Sequence, residues 1–224
     1  MHRRGILAAA MAVAVAGCSS DEDDSAAHEG EADAEIVATD LLEGETSGTG
    51  WGRIEVENPT AAPHGRLEID ASILDEDGDI LAEATHISAY IPPETTLRWY
   101  VRATAENDRL EGGDIIAEIT EATTQPERTR LDDATVHATD LSVGGDVVNV
   151  VGELDVPSTD KQRVTVIALI YDVDGRLRGT GTDILYDPEP GTAVEFSANS
   201  NGFRAPAESP SIESYDVFAF GEHG

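Results

Sequence analysis

The residues best equipped for chemistry in this chain are its carboxylates: Asp and Glu number 45 against 14 Lys and Arg. Two runs, Asp75-Glu76-Asp77-Gly78-Asp79 and Asp172-Val173-Asp174-Gly175, cluster oxygen ligands as a hard cation such as calcium requires. Neither continues into the remaining ligands and distal glutamate of an EF-hand loop, and a hairpin turn already accounts for an Asp-Gly pair. The turn is the reading taken, with no metal and no cofactor assigned. Glu83 and His86 have a ligand-like spacing on a helix, but on a strand residues three apart face opposite sides. His28, His64, His86, His137 and His223 are scattered and form no pair. Gly48, Gly50 and Gly52 lead into a strand, not into the helix N-terminus that would hold a phosphate. No Gly-x-Ser-x-Gly elbow occurs, and carboxylate pairs arise by chance in so acidic a chain. No catalytic residue is assigned, and the chain is read as a non-enzyme.

Two rows of side chains are candidates for recognition. If Leu97, Trp99 and Val101 face a core, Arg98, Tyr100 and Arg102 form one exposed row. Two arginines beside a tyrosine suit a carboxylate or an acidic sugar, and pairing with local acids is the plainer alternative. In the second row, Val164, Val166, Ala168 and Ile170 take the core face and leave Ile167, Leu169 and Tyr171 outside. An apolar row on an outer face marks an interface, or else a strand covered by a loop of its own domain.

The elements that must position these rows are strands. Residues 66–74 alternate strictly, with Leu67, Ile69, Ala71 and Ile73 on one side and Arg66, Glu68, Asp70 and Ser72 on the other. An internal repeat organises the whole. Val37-Ala38-Thr39-Asp40-Leu41 recurs as His137-Ala138-Thr139-Asp140-Leu141 at a shift of 100, and Gly52, Ile54 and Val56 match Gly152, Leu154 and Val156. The shift then becomes 97: Ile69 matches Val166, Asp77-Gly78 matches Asp174-Gly175, and Trp99 matches Phe196. Pro92-Pro93 and Pro188 to Gly191 punctuate the connections that follow. No segment beyond residue 17 sustains apolar spacing at three and four, so two all-β domains are expected, at 35–119 and 134–221, with 120–133 as the linker.

Ala71-Ser72-Ile73-Leu74-Asp75 and Ala168-Leu169-Ile170-Tyr171-Asp172, each running into an Asp-Gly turn, resemble the signature of FxLYD-type domains. Alanine stands at the Phe position in both copies, and Leu74 at the Tyr position in the first. The resemblance implies two tandem immunoglobulin-like antiparallel β-sandwiches, and it implies no activity.

The address is read from the N-terminus. Arg3 and Arg4 precede an uncharged apolar stretch, residues 5–17, too short to cross a hydrocarbon core, which needs about 20 residues. Val15-Ala16-Gly17-Cys18 resembles a lipobox, which implies a cleaved signal at 1–17 and a lipid on Cys18. Arg3-Arg4-Gly5-Ile6-Leu7 also resembles a twin-arginine signal, leaving the export route open. Residues 18–34 have no large apolar side chain and read as a disordered acidic tether. Loss of Arg3 and Arg4 takes the net charge from −31 to −33. Lys161 is the one lysine, and this balance resembles that of proteins from salt-loving archaea, whose surface lipoproteins the chain resembles. Such a surface repels nucleic acid. With Cys18 lipidated no thiol remains, and Met1 and Met11 leave with the signal, so blue-copper chemistry is closed. The expected protein is a lipoprotein on the outer face of the cell membrane, a non-enzymatic module for a surface protein or envelope component. The alternative is an extracytoplasmic enzyme or accessory subunit with its site between the domains.

Overall fold

The computed structural model describes residues 32–44, 48–104, 110, 113–124, 128–144, 147–156, 163–201, 203–207 and 209–221. Cys18, the signal stretch and most of the acidic tether lie outside the described residues. Within them the protein is all-β, and its sheets pack as sandwiches.

The first half contributes β1 (Glu35–Glu43), β2 (Thr49–Asn58), β3 (Leu67–Leu74), β4 (Ile80–Ser88), β5 (Thr95–Thr104) and β6 (Asp114–Ala122). The second contributes β7 (Thr129–Arg130), β8 (Thr135–Gly144), β9 (Val147–Asp155), β10 (Arg163–Asp172), β11 (Leu177–Tyr186), β12 (Ala193–Asn201) and β13 (Ile212–Gly221). β1-β2-β5 faces β4-β3-β6 in the first half. In the second, β8-β9-β12 faces β11-β10-β13, with the short β7 added beside β13. Strand for strand, the pairing of the first half is repeated in the second. Strand β6 runs on to Ala122, and β7 lies within the stretch read as linker.

Period-two patterning places the core. Leu67, Ile69, Ala71 and Ile73 of β3 are buried against Ile54, Val56, Leu97, Trp99 and Val101. Val164, Val166, Ala168 and Ile170 of β10 are buried against Val148, Val150, Leu154, Phe196 and Ala198. Ile69 pairs with His86 and Val166 with Asp183, which keeps the shift of 97 across this hairpin.

The β2–β9 correspondence differs from the letter alignment by two residues. Gly52 pairs with Leu41 and Val101, whereas the equivalents of those partners, Leu141 and Ala198, pair with Val150. Gly52 is therefore level with Val150, and Ile54 with Gly152. Each glycine makes room for a different bulky neighbour. A β carbon on Gly52 would fall 2.2 Å from Ile115 Cδ1, and one on Gly152 would fall 2.8 Å from Phe196 Cζ. Matching glycine to glycine hid that slip.

The halves also meet through β10. Seven consecutive residues of it, Val164 to Ile170, are buried, so both faces are covered. Its second face, Ile167 and Leu169, joins Leu177 and Phe220 in the cluster built on Ile54, Ile69 and Tyr90 of the first half. Parallel pairing of Leu97 with Leu177 brings the edges of β5 and β11 together along the same seam.

Candidate functional site

The Asp-Gly runs are local turns with an inward carboxylate. Oδ1 of Asp75 accepts the backbone N–H groups of Asp77 and Asp79 at 3.1 and 2.8 Å. Oδ1 of Asp172 accepts those of Asp174 and Arg176, both at 3.0 Å. Gly78 and Gly175, with φ of 83° and 75°, supply the left-handed residue such turns need. Among the described residues, no three His, Asp or Glu side chains converge as they would around a metal ion. Glu83 is exposed, while His86 turns inward on β4, its ring 5.3 Å from that of Trp99.

Arg98 and Tyr100, expected on an exposed row, are each only 5% exposed. The prediction treated the first sheet as having one solvated face, but the second half lies against that face. Arg98 Nε donates to Glu55 at 2.8 Å within its own sheet. Its Nη1 donates across the seam to Asp172 and Asp174, both at 3.1 Å. The Asp172 side chain is wholly buried, one oxygen closing its turn and the other holding Arg98. Burial disfavours the Arg98 charge, yet Glu55 and Asp174 hold its pKa above the ordinary arginine value. Arg178 crosses back, its Nε donating to the Arg98 carbonyl at 3.2 Å and its guanidinium lying 4.8 Å from the Tyr100 ring centre. Burial pulls Arg178 below the ordinary arginine value despite Tyr100 and Asp172, and the charge of Arg98 adds to that fall.

Ile167, Leu169 and Tyr171 meet the first half too. Tyr90, on the β4–β5 connection, lies 6.0 and 5.5 Å from the rings of Phe218 and Phe220 on β13, the strand beside this row. The backbone N–H of Ala89 donates to Thr180 Oγ1 at 3.3 Å. Ile167 and Leu169 are buried, and Tyr171 is half-buried. Burial, then the charge of Asp216 and the neighbouring Tyr90, pushes the Tyr171 phenol well above the ordinary tyrosine range. Of the covers open to this row, the first half is the one that supplies it, and the two predicted recognition rows meet along one seam.

Arg102 alone of the six stays exposed, at the rim of a groove that continues the seam outward. Register on the outer face of the first sheet sets Asp40, Arg53 and Tyr100 side by side, then Leu42, Trp51 and Arg102 in the next row. The chain segment before β13 forms the opposite wall. One lobe, about 450 Å³, is lined by Leu42, Glu43, Arg53, Tyr100, Pro206 and Pro210, among others. The other, about 380 Å³, is lined by Trp51, Arg102, Phe203, Arg204 and Pro206. Arg53 is engaged, its Nη2 2.6 Å from Asp40, and the Arg102 guanidinium lies 5.8 Å from the Trp51 ring centre.

Sequence reading missed Trp51, Arg53, Arg178 and Arg204. Trp51 and Arg53 do carry a signal, since they alternate with Gly52 and Ile54 on a strand already assigned. Arg178 and the 203–210 wall carry none, because their place depends on how the halves meet. No protein-family model and no curated protein sequence matches this chain.

Proposed function

We propose that the chain is a non-enzymatic binding module held on the outer face of the cell membrane by a lipid on Cys18, its two sandwiches being tandem immunoglobulin-like domains of FxLYD type. The observation that supports this best is the groove, which draws one wall from each half and gathers Arg53, Arg102 and Arg204 with Trp51, Tyr100 and Phe203. Cations are scarce in this chain, at 14 against 45 acids, and yet three of them meet at one open cleft beside aromatic rings. Arginine with aromatic side chains is the usual make-up of recognition surfaces.

The anchor and the binding role are tested separately. Cys18→Ser should release the protein into the medium, and a variant that stays with the membrane would overturn the lipid anchor. Since Cys18 is the one cysteine, Ala205→Cys places a single photoreactive label in the groove and Val143→Cys a control on exposed β8. On intact cells the groove label should form adducts with an envelope component that the control does not. Equal labelling from both positions, or none, would overturn the binding role.

A further inference from the structure

We infer that the groove takes an acidic saccharide, its carboxylate held by Arg102 and a sugar face laid on Trp51; this rests on the binding-module reading above. Arg102 is exposed, and among the described residues no carboxylate pairs with it, in a chain where acids outnumber cations threefold. Its guanidinium lies 5.8 Å from the Trp51 ring centre, so a sugar whose carboxylate pairs with Arg102 has the indole beside it. Trp51 is half-buried and lines this otherwise mainly polar lobe with Phe203, which makes the indole the surface suited to the C–H face of a pyranose. In the neighbouring lobe Arg53 is already neutralised by Asp40, and Glu43 and Ser209 line it as well, so the ligand's carboxylate is assigned to Arg102.

Size and charge select a saccharide over larger anions. Lobes of about 450 and 380 Å³ fall within the range of small-molecule sites, roughly 300–1,000 Å³. A protein partner of standard size would need about 800 Å² of matching surface. It would also bring an extended face against a body of net charge −31, as an acidic protein or nucleic acid would. A short acidic glycan presents its charge to the groove alone.

Titration of the whole chain with a galacturonate trisaccharide, its methyl ester and penta-aspartate, followed by calorimetry, tests this. The free acid should bind at least about tenfold more tightly than the methyl ester, a difference of about 1.4 kcal/mol. Arg102→Gln should abolish that preference while leaving the weaker ester binding in place. Trp51→Leu should weaken acid and ester alike, and circular dichroism should show both variants folded. Equal affinity for acid and ester, an unaffected Arg102→Gln, or penta-aspartate binding as well as the saccharide would each overturn the proposal. If no saccharide binds while the groove label still captures an envelope component on cells, the ligand class fails and the binding module stands. Failure of both removes the module as well.

Discussion

Arg98 Nη1 on β5 lies 3.1 Å from the carboxylate of Asp172 at the end of β10, the most deeply buried of the charge pairs that span the seam between the two halves. Both side chains are almost fully excluded from water, at 6% and 0% exposure. Removing one partner therefore leaves the other charged and buried. Arg98→Ala should lower the unfolding free energy by about 3–5 kcal/mol. Adding Asp172→Asn should recover part of that loss, because the amide keeps an oxygen for its turn and carries no charge. Urea unfolding in a double-mutant cycle measures the coupling, and a value near zero would contradict the pairing.

The apolar row on β10 gives a second expectation. Ile167 and Leu169 are 3% and 0% exposed, and both pack in the cluster of the first half. Ile167→Ala and Leu169→Ala should each lower stability by about 2–5 kcal/mol. A row standing in solvent would tolerate the change, so an unaltered melting temperature would remove it from the seam.

His86 makes stability depend on pH. Burial lowers its pKa from 6.5 to about 4, and its Nε2 is buried without a hydrogen-bond partner among the described residues. The unfolded chain therefore binds the proton more readily between those values, and stability is lost as pH falls from 6.5 toward 4. The loss is at most about 3 kcal/mol. His86 also faces the other half, since a β carbon on Gly179 of β11 would lie 3.7 Å from its Cε1. His86→Phe should flatten this part of the profile relative to wild type, with the carboxylates common to both cancelling in the difference. Identical profiles would place the proton elsewhere.

The charge balance predicts a response to salt. At a net charge of −31 the body repels itself, and molar salt shortens the screening length to about 3 Å. The melting temperature should rise steadily from low salt to molar KCl. Arg98→Ala should rise in parallel, because its lost pair lies away from solvent. A flat response in the wild type would show that surface repulsion does not limit stability.

Strands, hairpins and the doubled pairing were legible because alternation and Asp-Gly turns are local. The exposure of Arg98 and Tyr100 was misjudged for a related reason. Alternation tells which residues share a face, but a second sandwich can cover the face left over. The continuous apolar run of β10 held that information, since a strand apolar on both sides needs two covers. The groove was half legible: Arg102 and Tyr100 stood out as an unusual row in an acidic chain. Its second wall, Phe203 to Pro206 with Ser209 and Pro210, comes from about a hundred residues further on, and no local pattern announces that approach.

The groove draws its walls from two halves fastened by a shared apolar core and a buried ion cluster, so both walls stand opposed in the structure. On the binding-module reading proposed above, a ligand would meet walls already in place, without first bringing the halves together. Discrimination between ligands would then lie mainly in how long each one stays.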